Sequence, residues 1–421
     1  MKNDPNGQSA GYLHFTVLVP LALFLFFLPW SLKWSNLFLL AAGGIFFGQY
    51  LFLYKEYGPF DRKRWGGLFS SVFVFYLLVP LSLLYTAYPG EAVKFLEYRA
   101  AMLFIPLMFF SGFRMNRRET EWVLAGLVAG VLLRVMWFYG LMAYGLASGR
   151  LGGNLTFSPV NALDPWLHSH RTYLSFYFLL ALTAVVTSRH VRYPFWFKAV
   201  CGVLMLTAVF LFESRVLIGL GILLPLVWPF LAERGGRVWR RAAVCWGIMI
   251  VSLGLSAAGG SFRVMEARFD ETAYELASDG VAGGDGKYDY DSRASRWKAA
   301  VELIARRPLA GYGSGGEKEA LRTVYEREHL DWSAHHSLDV HNQFLSFALE
   351  NGVLAALFYL YMLLLLFFGG WRRRDWLIVI FAFICGTMSL FENILNVNWM
   401  ITLFSFLSTL FVFRIVTRQD D

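Results

Sequence analysis

Charge is scarce in this sequence. Only 16% of its 421 residues are Asp, Glu, Lys or Arg, against 57% hydrophobic and 18% aromatic. Soluble domains carry about a quarter charged residues, so the shortage excludes an ordinary soluble fold and points to a polytopic membrane protein. Cysteine is scarcer still. Cys201, Cys245 and Cys385 all fall in apolar segments, which excludes a disulfide framework and leaves them as core filler. No G-x-x-x-x-G-K-[ST] loop occurs, which argues against an ATP-driven pump. The N-terminus lacks the charged region, brief apolar core and cleavage site of a signal peptide, so the first apolar run is expected to remain as an anchor. No repeat of solenoid period and no separate soluble domain stands out.

What is present is a series of apolar runs. A membrane span needs about 20 mainly apolar residues. Twelve segments qualify: 12–30, 36–54, 67–86, 99–113, 121–146, 171–187, 195–213, 215–232, 241–257, 341–368, 375–391 and 396–414. The expected fold class is therefore all-α, a polytopic bundle of about 12 transmembrane helices. The net charge of +8 is an orientation signal rather than a nucleic-acid surface, because Lys and Arg cluster between the runs. Alternate connections hold Lys55 and Arg62 to Arg64, then Arg114, Arg117 and Arg118, then Arg189 and Arg192. The series continues with Arg234, Arg237, Arg240 and Arg241, then 372–374, then Arg414 and Arg418. The intervening short loops hold only Lys33, Lys94, Arg150, Arg171 and Arg215. Twelve spans with both termini cytoplasmic satisfy every loop.

That topology divides the chain into spans one to nine (1–257), a large external loop (258–340), and spans ten to twelve with a tail (341–421). A shorter external segment covers 147–170. In the large loop, 293–306 places Trp297, Val301 and Ile304 on one helical face, and Pro308 and Gly311 then stop the helix. Residues 317–330 form a second amphipathic stretch, and "DGVAGGDGKYDYD" (279–291) reads as a mobile loop.

Polar residues gather on the external side. "LFESRVLIGL" (211–220) puts Glu213, Ser214 and Arg215 inside 39 otherwise apolar residues. That length suits two spans, so the triplet falls at the external turn between spans seven and eight. An Arg there either snorkels to water or points into the protein, since no Gly, Pro or Asn marks a loop. "SLDVHNQFLSFALENG" (337–352) opens span ten with His341, followed by Asn342 and Gln343. Histidine serves as general base or acid near neutral pH; the plain alternative is an interfacial histidine bonded to loop backbone. His329, His335 and His336 nearby lack the spacing of a zinc site, so no metal is expected. "DSRASRWKAAVELIARRPLAGYGSGG" (291–316) supplies Arg293 and Arg296 at a helix start, where guanidinium groups can grip phosphate or remain surface charge. Its "GYGSGG" tail has no preceding strand and reads as a turn, not a dinucleotide site. Arg134 and Glu392 are the other intramembrane ionisable groups worth naming. Glu392 opens "ENILNVN" at the external end of span eleven, and could hold an Arg, act as base or form a structural pair.

Taken together, Ser214–Arg215, the Arg293, Trp297, Ala299, Ile304, Pro308-Leu309, Gly311, Gly313 series, and "HNQFLSFALENG" resemble the O-antigen ligase/polymerase superfamily. The resemblance covers about residues 165–400, including "LHSHRTYLSFYFLLAL" (167–182). It implies an all-helical bundle similar to the metal-independent C-type glycosyltransferases, with the large loop periplasmic. It also implies transfer of a glycan from undecaprenyl pyrophosphate to a sugar hydroxyl at the periplasmic face of the inner membrane. Ligases use lipid A–core as acceptor; polymerases use another lipid-linked repeat unit. Carried over, Arg215 and Arg293 bind the donor pyrophosphate and His341 serves the acceptor hydroxyl. Asn342 and Glu392 line the site, and Arg296 lies three residues off the family position. No cofactor or metal is implied; the partners are the lipid-linked donor, the lipid A–core acceptor and membrane lipids, with no nucleic acid. A flippase-type transporter would be expected to show repeat-related halves and broken mid-membrane helices, and a scaffold would not need these arginines and the histidine.

Overall fold

The structure is a computed structural model. It describes residues 6–57, 62–149, 170–232, 237–260 and 291–417, together with Glu266 and Asp270. The loop expected at 279–291 lies outside the described residues except for Asp291.

All regular structure among the described residues is helical. The chain opens with α1 (Asn6–Phe27), α2 (Leu32–Tyr57), α3 (Arg62–Phe69), α4 (Phe73–Ser82), α5 (Pro89–Tyr98) and α6 (Ala101–Ser111). It continues through α7 (Arg117–Ala147), α8 (Arg171–Thr187), α9 (Phe195–Leu211), α10 (Arg215–Ala232) and α11 (Val238–Ala258). The remainder holds α12 (Arg293–Arg306), α13 (Glu317–Arg327), α14 (Asp331–His335), α15 (Gln343–Asn351), α16 (Val353–Arg373), α17 (Trp376–Ser389) and α18 (Asn398–Thr417).

Five of these are long and apolar enough to cross a membrane: Leu32–Phe52 within α2, then α7, α11, α16 and α18. The pair α3 and α4 passes that test together but bends by 64°. Six shorter apolar helices fall at Phe15–Phe27, Ala101–Ser111, Arg171–Thr187, Phe195–Leu211, Arg215–Leu231 and Trp376–Ser389. Each of the twelve expected segments thus carries an apolar helix or a bent pair, and the protein is an all-α polytopic membrane protein.

Two segments differ from expectation in a way that matters. The third is broken at Ser70–Ser71, where the Ser71 hydroxyl donates to the Leu68 carbonyl at 2.6 Å and accepts from the Phe73 amide at 3.3 Å. The tenth does not begin at 341. Residues 343–351 form the separate helix α15, and Gly352, at φ +83, turns the chain into α16.

The chain forms two compact units: residues 1–45 with 115–269, and residues 46–114 with 270–421. In the first, α7 starts on a reciprocal cap: the Asn116 carboxamide oxygen accepts from the Glu119 amide, and the Glu119 carboxylate accepts from the Asn116 amide, both at 2.9 Å. Helix α1 lies directly on α7 at Gly126 and Gly130. A Cβ there would sit 2.2 Å from the Ala22 carbonyl oxygen and 2.1 Å from that of Phe26, so only glycine permits the approach. Arg134 lies over the Trp30 ring, 5.0 Å from its centroid, so its charge rests on an aromatic face. At the opposite turn, Glu121 accepts from the amides of Arg189, His190 and Val191 and from the Ser188 hydroxyl.

In the second unit α18 is the buried centre, packed by α3, α6 and α16. The 291–340 stretch has an apolar core of its own. Ala299, Ala300 and Leu303 of α12 meet Leu321, Val324 and Tyr325 of α13, with Leu349 of α15. Trp297 and Ile304 pack at its margin as the helical periodicity predicts, but Val301 faces outward. The small Ala299 and Ala300, not the larger Val301, lie at the helix crossing.

Candidate active site

The family-like motif residues around Gly311 and Gly352 turn out to be one interlocking joint. Gly311 and Gly313 take φ +65 and +95, conformations that favour glycine. Their neighbours close on α15: the Tyr312 amide donates to the Leu349 carbonyl at 2.7 Å and the Gly313 amide to that of Glu350 at 2.8 Å. Across the joint, the Val353 amide donates to the Pro308 carbonyl at 2.8 Å. A Cβ on Gly352 would lie 2.0 Å from the Leu309 carbonyl oxygen. The Pro-Leu-x-Gly-x-Gly stretch is therefore the bracket that seats α15, and "GYGSGG" is a turn as expected.

Helix α15 carries the histidine at its entrance. Asn342 caps it, its side-chain oxygen accepting from the Phe344 and Leu345 amides at 3.0 and 3.1 Å while its nitrogen donates to the Leu390 carbonyl at 3.2 Å. Asn342 thus serves as a positioning group. His341, just before it, sits at φ +48. The Asp339 carboxylate accepts from the His341 amide at 3.0 Å, a local side-chain-to-backbone turn that supports this strained conformation.

The ring meets two carboxylates. His341 Nδ1 is 3.3 Å from Asp339 Oδ1 and 3.5 Å from Glu392 Oε2. Two acceptors at Nδ1 call for a proton there, which leaves Nε2 as the basic nitrogen. Glu392 is shared: its other oxygen lies 4.0 Å from Arg293 Nη2. Arg293 is the first residue of α12, whose cap is Ser292, and its Nη1 donates to the Phe391 carbonyl at 3.1 Å. The structure therefore brings together Arg293, Glu392, His341 and Asn342. Arg296 is buried behind them, with Nη1 donating to the Asp339 carbonyl at 3.4 Å. Partial exposure of the His341, Glu392 and Arg293 side chains (32%, 16% and 31%) leaves them open to a substrate.

Arg215 belongs to the first unit. It opens α10 immediately after the turn that joins it to α9, as the sequence predicts. The turn is tight because Glu213 takes φ +59. The Glu213 side chain is fully buried, with Oε2 3.6 Å from Arg171 Nη1. Arg171, the first residue of α8, is thus part of this corner although the sequence marked it only as a loop charge.

Four further residues were given no role in the sequence reading. Asp339 lay in a quoted stretch, two residues before the histidine, and was not singled out. Glu350 lay in the quoted "HNQFLSFALENG" motif, while Glu317 and Arg99 gave no local signal. Arg99 Nη2 meets Glu350 Oε2 at 2.7 Å with both side chains wholly buried, and the guanidinium also lies over Phe95. Glu317, buried at the start of α13, is pushed up to about 8 by burial and by the carboxylates of Asp339 and Glu350. Elsewhere in the loop, His336 lies against Trp332, with Nδ1 2.9 Å from that residue's carbonyl oxygen, and its ring meets that of His335. Among the described residues, no three His, Cys, Asp or Glu side chains form a group that could hold a metal ion.

An all-helical membrane protein with a base, a shared carboxylate and an arginine at one helix entrance has the parts for group transfer from an anionic donor. Residues 200–360 match the family model described as O-antigen ligase. The resemblance to the O-antigen ligase/polymerase superfamily therefore holds for the stretch that includes Arg215, Arg293 and His341. No curated protein matches the chain.

Proposed function

We propose that the protein is an O-antigen ligase, moving glycan from undecaprenyl pyrophosphate to a lipid A–core sugar hydroxyl at the periplasmic face of the inner membrane. The observation that carries this reading is the continuous Arg293–Glu392–His341–Asp339 contact chain. The acceptor hydroxyl attacks the anomeric carbon and gives its proton to His341 Nε2. The bond from that carbon to the phosphate oxygen breaks, and its electron pair leaves with undecaprenyl pyrophosphate. Attack from the face opposite the leaving group inverts the anomeric centre. Asp339 and Glu392 hold Nδ1–H and stabilise the imidazolium that forms. Arg215 and Arg293 take the donor pyrophosphate, where fixed guanidinium groups stabilise the charge of the leaving group. These cations do the work a divalent ion does elsewhere.

The test uses purified full-length protein with a lipid-linked donor and lipid A–core. Transfer to lipid A–core is expected, and His341→Ala should lose it by about 10²- to 10⁴-fold while donor binding persists. Elongation of the lipid-linked glycan without lipid A–core would identify a polymerase, which shares this chemistry. A fully active His341→Ala protein would overturn the assignment.

A further inference from the structure

Glu317 has no part in the transfer step, yet it is a buried carboxyl beside it. One of its oxygens, Oε1, accepts from the Val340 amide at 3.0 Å and from the Asn393 carboxamide at 3.2 Å. Val340 is the residue before His341, and Asn393 is the residue after Glu392. A single buried atom therefore ties together the two chain segments whose side chains meet 3.5 Å apart as His341 and Glu392. The second oxygen, Oε2, is held by the Ser346 hydroxyl and by Asn396 Nδ2 at 3.3 Å, and Asn396 Nδ2 also donates to the Ser346 hydroxyl at 3.1 Å. The other side of the Val340 peptide is fixed as well, since Trp297 Nε1 donates to its carbonyl at 2.9 Å.

We propose that Glu317 is a positioning residue that sets the His341–Glu392 geometry by clamping Val340 and Asn393 on one carboxyl oxygen. The inference rests on His341 being the base of the proposed reaction. Its physical basis is the strain at His341: a left-handed histidine keeps its place only if the flanking peptide is over-determined. Four neutral hydrogen-bond partners surround the Glu317 carboxyl.

Burial, and after it the charged groups facing it, set the protonation state. Asp339 and Glu350 lie close enough to raise it. Arg99 is engaged by Glu350. Arg296 and Glu317 both act on the neighbouring Tyr325. With folded-state ionisation near 8, Glu317 holds a proton that the unfolded chain releases above about 4.5. Stability therefore declines as pH rises, and the decline levels off once pH passes about 8. The hydrogen bonds from Ser346 and Val340 favour the carboxylate, but burial and the carboxylates of Asp339 and Glu350 outweigh them, so the acid stays neutral and its ionisation would set it against Asp339.

The experiment compares wild type, Glu317→Gln, Glu317→Ala and His341→Ala as full-length protein in nanodiscs, measuring transfer and melting temperature from pH 6 to 9.5. Glu317→Gln should keep kcat within about threefold near neutrality and lose the alkaline decline in both rate and melting temperature. Glu317→Ala should lower kcat by about thirtyfold or more with donor KM unchanged. Glu317→Gln with the wild-type alkaline decline overturns the proposal, and so does Glu317→Ala with wild-type kcat. Should the alanine variant not fold, the glutamine profile alone decides. An inactive His341→Ala beside an unaffected Glu317→Ala removes the clamp but leaves the base; an active His341→Ala removes the base itself.

Discussion

Two corners of the molecule carry the candidate chemistry, and each forces a non-glycine residue into left-handed backbone. At 213–215, in the first unit, the strained residue is the acid. Glu213 is buried and paired with Arg171, and Arg215 follows two residues later. In the second unit the strained residue is the histidine, and of its two partly exposed acids Glu392 is shared with Arg293. A buried acid paired with Arg171 fixes charge in place beside Arg215, which suits gripping an anion. A half-open histidine between two carboxylates is held by one nitrogen and offers the other, which suits moving a proton. The same device, backbone strain supported by neighbours, thus presents a permanent charge at one corner and a titratable group at the other.

The harshest way to break the second corner is Gly352→Ala. A Cβ there would clash with the Leu309 carbonyl and force a residue with a side chain to φ +83. Backbone strain of about 1–3 kcal/mol adds to the clash; purified yield and melting temperature should collapse together. Next comes the charge at the first corner. Arg215→Ala should slow transfer by about 30- to 1,000-fold, roughly 2–4 kcal/mol of transition-state stabilisation. Arg215→Lys should fail nearly as badly, because an ammonium cannot reproduce a two-pronged contact. Normal rates in both variants would mean that Arg215 only reaches for water. A milder loss, about tenfold, is expected of Glu392→Gln, since Asp339 still faces Nδ1; the loss should lie in kcat. The smallest effect should come from EDTA. Transfer rates should hold in its presence, and loss restored by one added metal would move the chemistry from arginines to an ion.

Hydropathy made the helices legible because lipid and core both demand apolar runs. Periodicity found α12 and its bounds. It misassigned Val301 because contact depth depends on where helices cross, and there the small Ala299 and Ala300 fit. Family-like spacing located Arg293, His341 and Asn342 together. It could not show that the Gly311–Gly313 and Glu350–Gly352 segments are one joint, since that is a matter of backbone bonds across about 40 residues of chain. Least legible was the buried charge. Arg99 and Glu350 are 251 positions apart, and each alone looks like an interfacial side chain. Glu317 looks like the acidic first turn of a surface helix, and only burial reveals its role.

The break at Gly352 has a mechanical consequence. A continuous helix would carry every change of tilt in its membrane-spanning part straight to the histidine. Here the chain turns at Gly352, and α15, through Leu349 and Glu350, and the first residue of α16, Val353, are all latched to the Pro308–Gly313 segment. Spans adjust to bilayers of different hydrocarbon thickness by tilting. His341 rides on the latch and not on the lever, so acyl-chain length should alter where the donor's sugar–phosphate lies more than how the base is aimed.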